Sequence, residues 1–350
     1  MAYTTIDNPE LYFQTVLWTG NGSSSRSVTL DGSEDMQPDW TWIKSRAGSE
    51  STQQHYLYDS VRGATKYLQS STNNAEGTKS NGLSAFASDG FTVGDDNANN
   101  ASSTTYVAWN WKAGGSASSN SDGSITSSVS VNTTAGFSIV SYTGTFANAT
   151  VGHGLGVAPK VIILKNRDSS NNWCVGHGSL GFDKHLALNE TDAAGTDSSA
   201  RFRGISPTST VYSVGVAGET NGNSQDMIAY CLAEKQGYSK FGKYTGNGNA
   251  DGTFVYTGFR PAWVMIKRTD GTNSWVIYDN KREGFNVDND ALQANGNNAE
   301  GTSDDLDFLS NGFKMRTSGV GENGSGNSYI FIAFAESSFV NSSKVPNNAR

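Results

Sequence analysis

Pro38-Asp39-Trp40-Thr41-Trp42-Ile43-Lys44, Pro159-Lys160-Val161-Ile162-Ile163-Leu164-Lys165 and Pro261-Ala262-Trp263-Val264-Met265-Ile266-Lys267 are three readings of one segment. Each is a short apolar run that follows a proline and ends on a lysine. Proline favours an extended start, and an apolar run of this length between turn residues is the pattern of a core strand. A second strand-like run follows each: Tyr56-Leu57-Tyr58, Trp173-Cys174-Val175 and Trp275-Val276-Ile277. The polar stretch Arg268 to Ser274 between two of these runs predicts a hairpin. The chain therefore builds the same strand pair three times.

The repetition extends outward. The string Asn-Asn-Ala-Glu-Gly-Thr stands at Asn73 to Thr78 and again at Asn297 to Thr302. Its neighbours recur in order. Thr19-Gly20-Asn21-Gly22, Tyr58-Asp59 and Arg62 match Thr245-Gly246-Asn247-Gly248, Tyr278-Asp279 and Arg282. Ser88-Asp89-Gly90-Phe91 matches Ser310-Asn311-Gly312-Phe313. Each copy closes on an apolar strand, Val107-Ala108-Trp109 and Ile332-Ala333-Phe334. A diverged third copy lies between, with Tyr142-Thr143-Gly144, Pro159, Lys165, Trp173 and Ile228-Ala229-Tyr230. It carries His177 where the others have aspartate, and no clear replacement for the glutamate of the repeated string.

This pattern predicts three domain-sized repeats over 13–113, 137–236 and 237–337, each long enough to bury a core of its own. Short strands separated by Gly/Asn turns imply an all-β chain of three tandem antiparallel β-sandwiches of jelly-roll or lectin-like type. Residues 1–12 form a short N-terminal segment. There Asp7-Asn8-Pro9-Glu10 signals one helical turn. Residues 114–136, rich in Gly, Ser and Asn, read as a flexible linker, and 338–350 as a polar tail. The second and third repeats meet almost directly at Glu234 to Tyr238 and are expected to pack as a rigid pair.

Composition narrows the function. Charged residues are only 17% of the chain, against about a quarter in an average protein, so the surface is polar but sparsely charged. The net charge of −8 supplies no basic footprint for nucleic acid. No apolar run is long enough to span a membrane, and residues 1–15 lack the pattern of a secretory signal. The two cysteines, Cys174 and Cys231, are expected to be buried free thiols. The string Gly319, Gly321, Gly324 lacks the strand–turn–helix context of a nucleotide site. His153, His177 and His185 are not at zinc-ligand spacing. No catalytic residue, cofactor or metal is expected.

Two constellations merit weighing. Asp59 with Glu76, and Asp279 with Glu300, are repeated acid pairs of the kind glycoside hydrolysis uses. Alternatively, Trp275, Tyr278, Asp279, Asn280 and Arg282, with Tyr58, Asp59 and Arg62 in the first repeat, combine aromatic and planar polar groups as ligand-binding surfaces do. The same residues also fit a turn-fixing cluster that the fold itself needs, and this is the stronger reading of the two.

Long stretches carry a resemblance. They are Asp7 to Gly22, Ser121 to Val140, Val151 to Arg167, Lys235 to Asp270 and Trp275 to Arg282. Together they resemble a family of virion proteins from tailed phages of marine bacteria, described as tail fibre or structural proteins. The resemblance implies a non-enzymatic β protein located in the virion and assembled in the host cytoplasm. By analogy with tail fibres, it implies a homotrimer. Other virion proteins are expected to contact the N-terminal unit, and a host surface glycan or receptor is the expected ligand. Alternative readings are a capsid or tail decoration protein packed against virion neighbours, and a glycan depolymerase using the paired acids.

Overall fold

A computed structural model of the chain describes residues 3–47, 53–197, 199–282 and 286–347. Strands dominate it. The helical elements among the described residues are single turns at Pro9–Leu11, Asn97–Asn100 and Gly218–Asn221. At the first, the Asn8 side chain caps the Glu10 N–H and proline opens the turn, as its sequence requires.

Each repeat is built on the same four antiparallel strands. The opening strands are Phe13–Thr19, Phe137–Thr143 and Ser239–Thr245. The middle strands are Trp40–Ser45, Val161–Asn166 and Phe259–Arg268. The return strands are Tyr56–Asp59, Cys174–His177 and Trp275–Asp279, and the closing strands Thr105–Trp111, Asp226–Leu232 and Ser328–Ser338. In every repeat the spatial order is opening, closing, middle, return. The apolar runs after Pro38, Pro159 and Pro261 thus occupy sheet interiors, with a strand on either side.

Register corrects one sequence match. Lys44 stands opposite Val107, Lys165 opposite Ile228 and Lys267 opposite Ile330. The counterparts of Val107-Ala108-Trp109 are therefore Ile228-Ala229-Tyr230 and Ile330-Phe331-Ile332, not Ile332-Ala333-Phe334. A two-residue slip keeps every side chain on its original face, so an apolar pattern alone cannot detect it.

These four strands form a sheet of their own in the first repeat and continue into eight-stranded sheets in the second and third, and both faces of each set of four are buried. Smaller strands cover one face. In the first repeat these are Arg26–Val28, Phe91–Val93 and Leu83–Phe86, which enclose Val16, Trp18, Ile43, Tyr58 and Ala108. In the second, Ala149–Gly152 pairs with Val211–Val214 over Val140, Ile162, Leu164 and Ala229. Each repeat is a small sandwich in this sense. The opposite faces do not stop at the repeat boundary. Trp40, Trp109, Trp111, Phe137, Ile163, Tyr230, Trp263, Ile332 and Phe334 belong to one continuous core drawn from all three repeats. The Trp40 ring stacks on Tyr230 with centroids 4.3 Å apart, and Trp111 meets Trp263 edge-on at 5.5 Å. Strands buried on both faces read as unbroken apolar runs rather than as alternation, which is what these sequences show.

The repeats close into a ring. The Glu76 N–H donates to the Arg167 carbonyl at 2.7 Å, Ala194 to Thr269 at 2.9 Å, and Glu300 to Arg46 at 2.9 Å. The same bond is thus made from repeat one to two, two to three and three to one. A second set runs the other way. Trp173 Nε1 donates to the Gln69 carbonyl, Trp275 Nε1 to Ala187, and His55 Nε2 meets the Gln293 carbonyl. The second and third repeats are therefore not a separate rigid pair, because all three share the core.

The expected linker is also structured. Ser118–Asn120 pairs with Ser127–Asn132, which in turn pairs with the opening strand Phe137–Thr143. Ile125 and Val129 enter the core of the second repeat, and Ala113 and Ala135 the shared core. Apolar residues alternating with Ser and Thr satisfy a strand with one face on the core, and that alternation outweighs the Gly/Ser content. The described segments near both chain ends are docked as well. Thr4 Oγ1 donates to the Gln236 carbonyl at 2.8 Å, and Ile6 is buried in the shared core. Within 338–347, Val340 bridges to Pro346, and the Ser342 N–H donates to Asp7. Residues 348–350 of the expected tail lie outside the described residues.

One shared core predicts that the ring unfolds as a unit. Limited proteolysis with a broad-specificity protease should leave 114–136 uncut under native conditions. Rapid scission there, releasing a folded 137–350 fragment, would contradict the fold.

Candidate functional site

The repeated acids build the junctions between repeats. In the first repeat Arg62 is wholly buried at the end of the return strand. Its Nε donates to Asp59 Oδ2 at 2.5 Å, Nη1 to Glu76 at 3.3 Å and Nη2 to the Leu57 carbonyl at 2.9 Å. Asp59 Oδ1 also accepts the Val61 and Arg62 N–H groups and so fixes the turn. The second repeat completes the cluster. Tyr230 donates its hydroxyl to Asp59 Oδ2 at 2.7 Å, and Arg167 grips both Glu76 oxygens at 2.8 and 3.0 Å.

The third repeat does the same to the first. Arg282 binds Asp279 at 2.6 Å, Glu300 at 3.0 Å and the Ile277 carbonyl at 3.0 Å. Trp109 Nε1 donates to Asp279 at 2.8 Å. Arg46 binds both oxygens of Glu300 and also reaches Asp290 at 3.2 Å. The glutamate of the repeated string is thus a two-armed bridge to an arginine of the next repeat. Such planar pairing is geometrically specific.

The second repeat breaks the pattern in concert. His177, Leu180 and Ala194 stand where the others have Asp, Arg and Glu, and Thr269 and Ile332 face them in the third repeat. Ala194, in Ala194-Gly195-Thr196, is the missing counterpart of the glutamate. His177 Nδ1 accepts the Ser179 N–H, so Nε2 carries the proton, directed at the Phe331 carbonyl 3.2 Å away. Burial holds this imidazole down at about 4. Removing every charge of the set together avoids leaving any one of them buried and unpaired.

The candidate ligand residues are accordingly interior. Trp275, Tyr278, Asp279, Asn280, Arg282, Tyr58, Asp59 and Arg62 are all buried. Tyr278 donates to Asp305 at 2.9 Å, Asn280 to Glu336 at 2.9 Å, and Tyr58 accepts from Asn99 at 3.1 Å. Their side chains bond within the protein, and Asn280 also borders a small groove beside Lys281 and Glu336. In each acid pair both carboxylates are held on one guanidinium rather than across an open cleft. The cysteines are buried and free. Among the described residues no group of three His, Cys, Asp or Glu side chains is placed to hold a metal.

The family model described as "Domain of unknown function (DUF7483)" matches residues 8–338. The chain belongs to the DUF7483 family. That single match runs through all three repeats and the strands at 118–132, the same span that the shared core ties together. No curated protein and no solved structure matches this DUF7483 chain.

Surface features of the DUF7483 ring lie elsewhere. Phe254 and Tyr256 alternate with buried Val255 on an outer strand of the third repeat and are 45% and 53% exposed. Tyr256 borders a groove of about 460 Å³ shared with Tyr3, Glu234, Gln236 and Lys240. The Tyr3 hydroxyl reaches that of Tyr256 at 3.2 Å and donates to the Gly258 carbonyl at 2.8 Å. These residues lie outside the duplicated motifs, so the repetition that marks the junctions does not mark them. The available signal was the alternation Phe254-Val255-Tyr256, with aromatics on both sides of one apolar residue.

Two measurements test the junctions. Arg282→Leu leaves Asp279 and Glu300 buried without their guanidinium and should cost about 3–5 kcal/mol in urea unfolding. Adding Glu300→Ala should recover part of that loss, and full additivity would show that the cluster does not act as a unit. Asp288 is buried near Asp279 and Asp290, and burial pushes its carboxyl up to about 8. A raised folded value makes stability fall as pH climbs from the ordinary carboxylate range through about 8. The Asp288→Asn variant should therefore gain on the parent in melting temperature between pH 5 and pH 8, and a constant gap would refute the assignment.

Proposed function

We propose that this protein is a non-enzymatic bacteriophage virion protein, a tail fibre or tail-tip adhesin that holds a glycan of the host surface. The supporting observation is the exposed aromatic face of Tyr256 and Phe254 beside the groove rimmed by Glu234, Gln236 and Lys240. Sugars present apolar C–H faces and a fringe of hydroxyls. An aromatic ring covers the first, and carboxylate, amide and ammonium groups bond the second. The sparsely charged Ser/Thr/Asn/Gly surface agrees with a structural role outside the cell. In this reading the chain occupies the tail, is assembled in the host cytoplasm, and forms fibres of three copies.

The test uses the intact chain, since cutting away the first repeat would strip the aromatic core of its partners. Fluorescent protein should bind cells of a susceptible marine bacterium saturably. Tyr256→Ala should weaken that binding by about tenfold, the loss of one well-stacked aromatic contact. Light scattering of the same sample should give three times the chain mass. Folded protein that binds no susceptible cell, or binding indifferent to Tyr256, would remove the proposal.

A further inference from the structure

The junction between the second and third repeats differs from the other two in more than its lost charges. It holds a groove of about 410 Å³. Leu180 and Thr269 line it, and these are the residues that stand where the other junctions have long arginines. At the first junction the same places carry Arg62 and Arg167, bound to Glu76; at the third they carry Arg282 and Arg46, bound to Glu300. Substituting Leu and Thr for two arginines, and Ala194 for the glutamate, vacates the volume those side chains would fill.

The vacated groove is lined by other cations. Lys184 comes from the second repeat and Lys243 from the opening strand of the third; both border the groove and both are exposed. Neither makes an ion pair among the described residues, and no carboxylate lines the groove with them. The register equivalents are Lys66 with Ser141 at the first junction and Asp290 with Leu17 at the third. Two free ammonium groups therefore face one space at this junction, whereas the equivalent positions hold one lysine, Lys66, bonded to Thr78, at the first junction and none at the third. The axis-facing side of the third repeat supplies the rest. Lys243 and Thr245 share that face with Ile330 and Ser328, directly across the strand pair. Thr245, Thr269 and Ser328 add hydroxyls to the rim.

From this we propose that the groove binds an acidic saccharide, with Lys184 and Lys243 each taking a carboxylate or sulfate and the hydroxyls bonding the sugar ring. Cations in a cleft with low-dielectric walls focus their field on an anion, and charge-assisted bonds are the strong ones. A chain of net charge −8 lacks the broad basic surface that a nucleic-acid backbone requires, and the two tyrosines of this groove, Tyr244 and Tyr329, are buried and stacked on each other rather than presented to a base. The assignment rests on the glycan-binding reading above and specifies the ligand as anionic, at a place separate from the Tyr256 groove.

Titration of the full chain with dextran sulfate and with alginate, against neutral dextran, tests it; the two acids distinguish sulfate from carboxylate. Binding to at least one acid is expected, weakening as salt rises. The Lys184→Glu/Lys243→Glu double variant should lose about tenfold or more in affinity, as expected for two charge-assisted contacts. Lys66→Glu, the same change at the equivalent position of the first repeat, should bind like the parent. The proposal is overturned if the parent binds neither acid, if Lys66→Glu loses as much as the double variant, or if a DNA duplex binds more tightly than both acids. Cell binding measured in parallel judges the adhesin reading on its own. Cells bound without either acid would sink only the groove assignment; an acid bound through the lysines without any cell binding would sink only the adhesin.

Discussion

A four-stranded sheet with both faces apolar cannot stand in water with only one of them covered. Every repeat of this chain has that problem. Small strands cover one face of each sheet and leave Trp40, Trp109 and Trp111, or their counterparts, on the other. The three remaining faces can be buried only against one another. Placing them around a common axis does so at once, and the ring, the docked ends and the ordered strands at 118–132 all follow from that closure.

The apolar faces alone would not set how the repeats meet. Aromatic rings tolerate small rotations and slips, whereas an arginine spanning two carboxylates does not. The clusters around Arg62 and Arg282 contribute orientation more than net stability, because burying ion pairs costs about as much as their attraction returns. Trp109 and Tyr230 fit this account. Each is part of the apolar core and each also places one polar atom on the aspartate of its neighbour. The junction that lacks the ions keeps its orientation through backbone bonds and through His177 directed at a carbonyl.

Much of this architecture is legible in the residues. Proline, an apolar run and a terminal lysine mark the middle strand three times over, and the duplication is visible in Asn-Asn-Ala-Glu-Gly-Thr. What stays hidden is what depends on space rather than on order. The closing strand of the third repeat can be matched two residues out without disturbing its face pattern. Residues 114–136 look like a spacer by composition, although Ile125, Val129 and Val131 already alternate as a strand requires. Tyr278, Asp279 and Arg282 are the same residue types that a binding surface would use, and only their burial tells a junction from a surface. Ala194 differs in type from the glutamate it replaces, and only its N–H, which makes the bond that Glu76 and Glu300 make, identifies it as their counterpart.

Joining the three repeats in one polypeptide has a genetic consequence. In a ring of three identical chains, any substitution at a junction appears three times, and a change that weakens packing is tripled. Here each junction is encoded separately. The second repeat could exchange Asp, Arg and Glu for His, Leu and Ala, and the third could answer with Thr269 and Ile332, while the other two junctions kept the ring closed. Covalent linkage thus frees one side of the ring to diverge while two sides hold its shape.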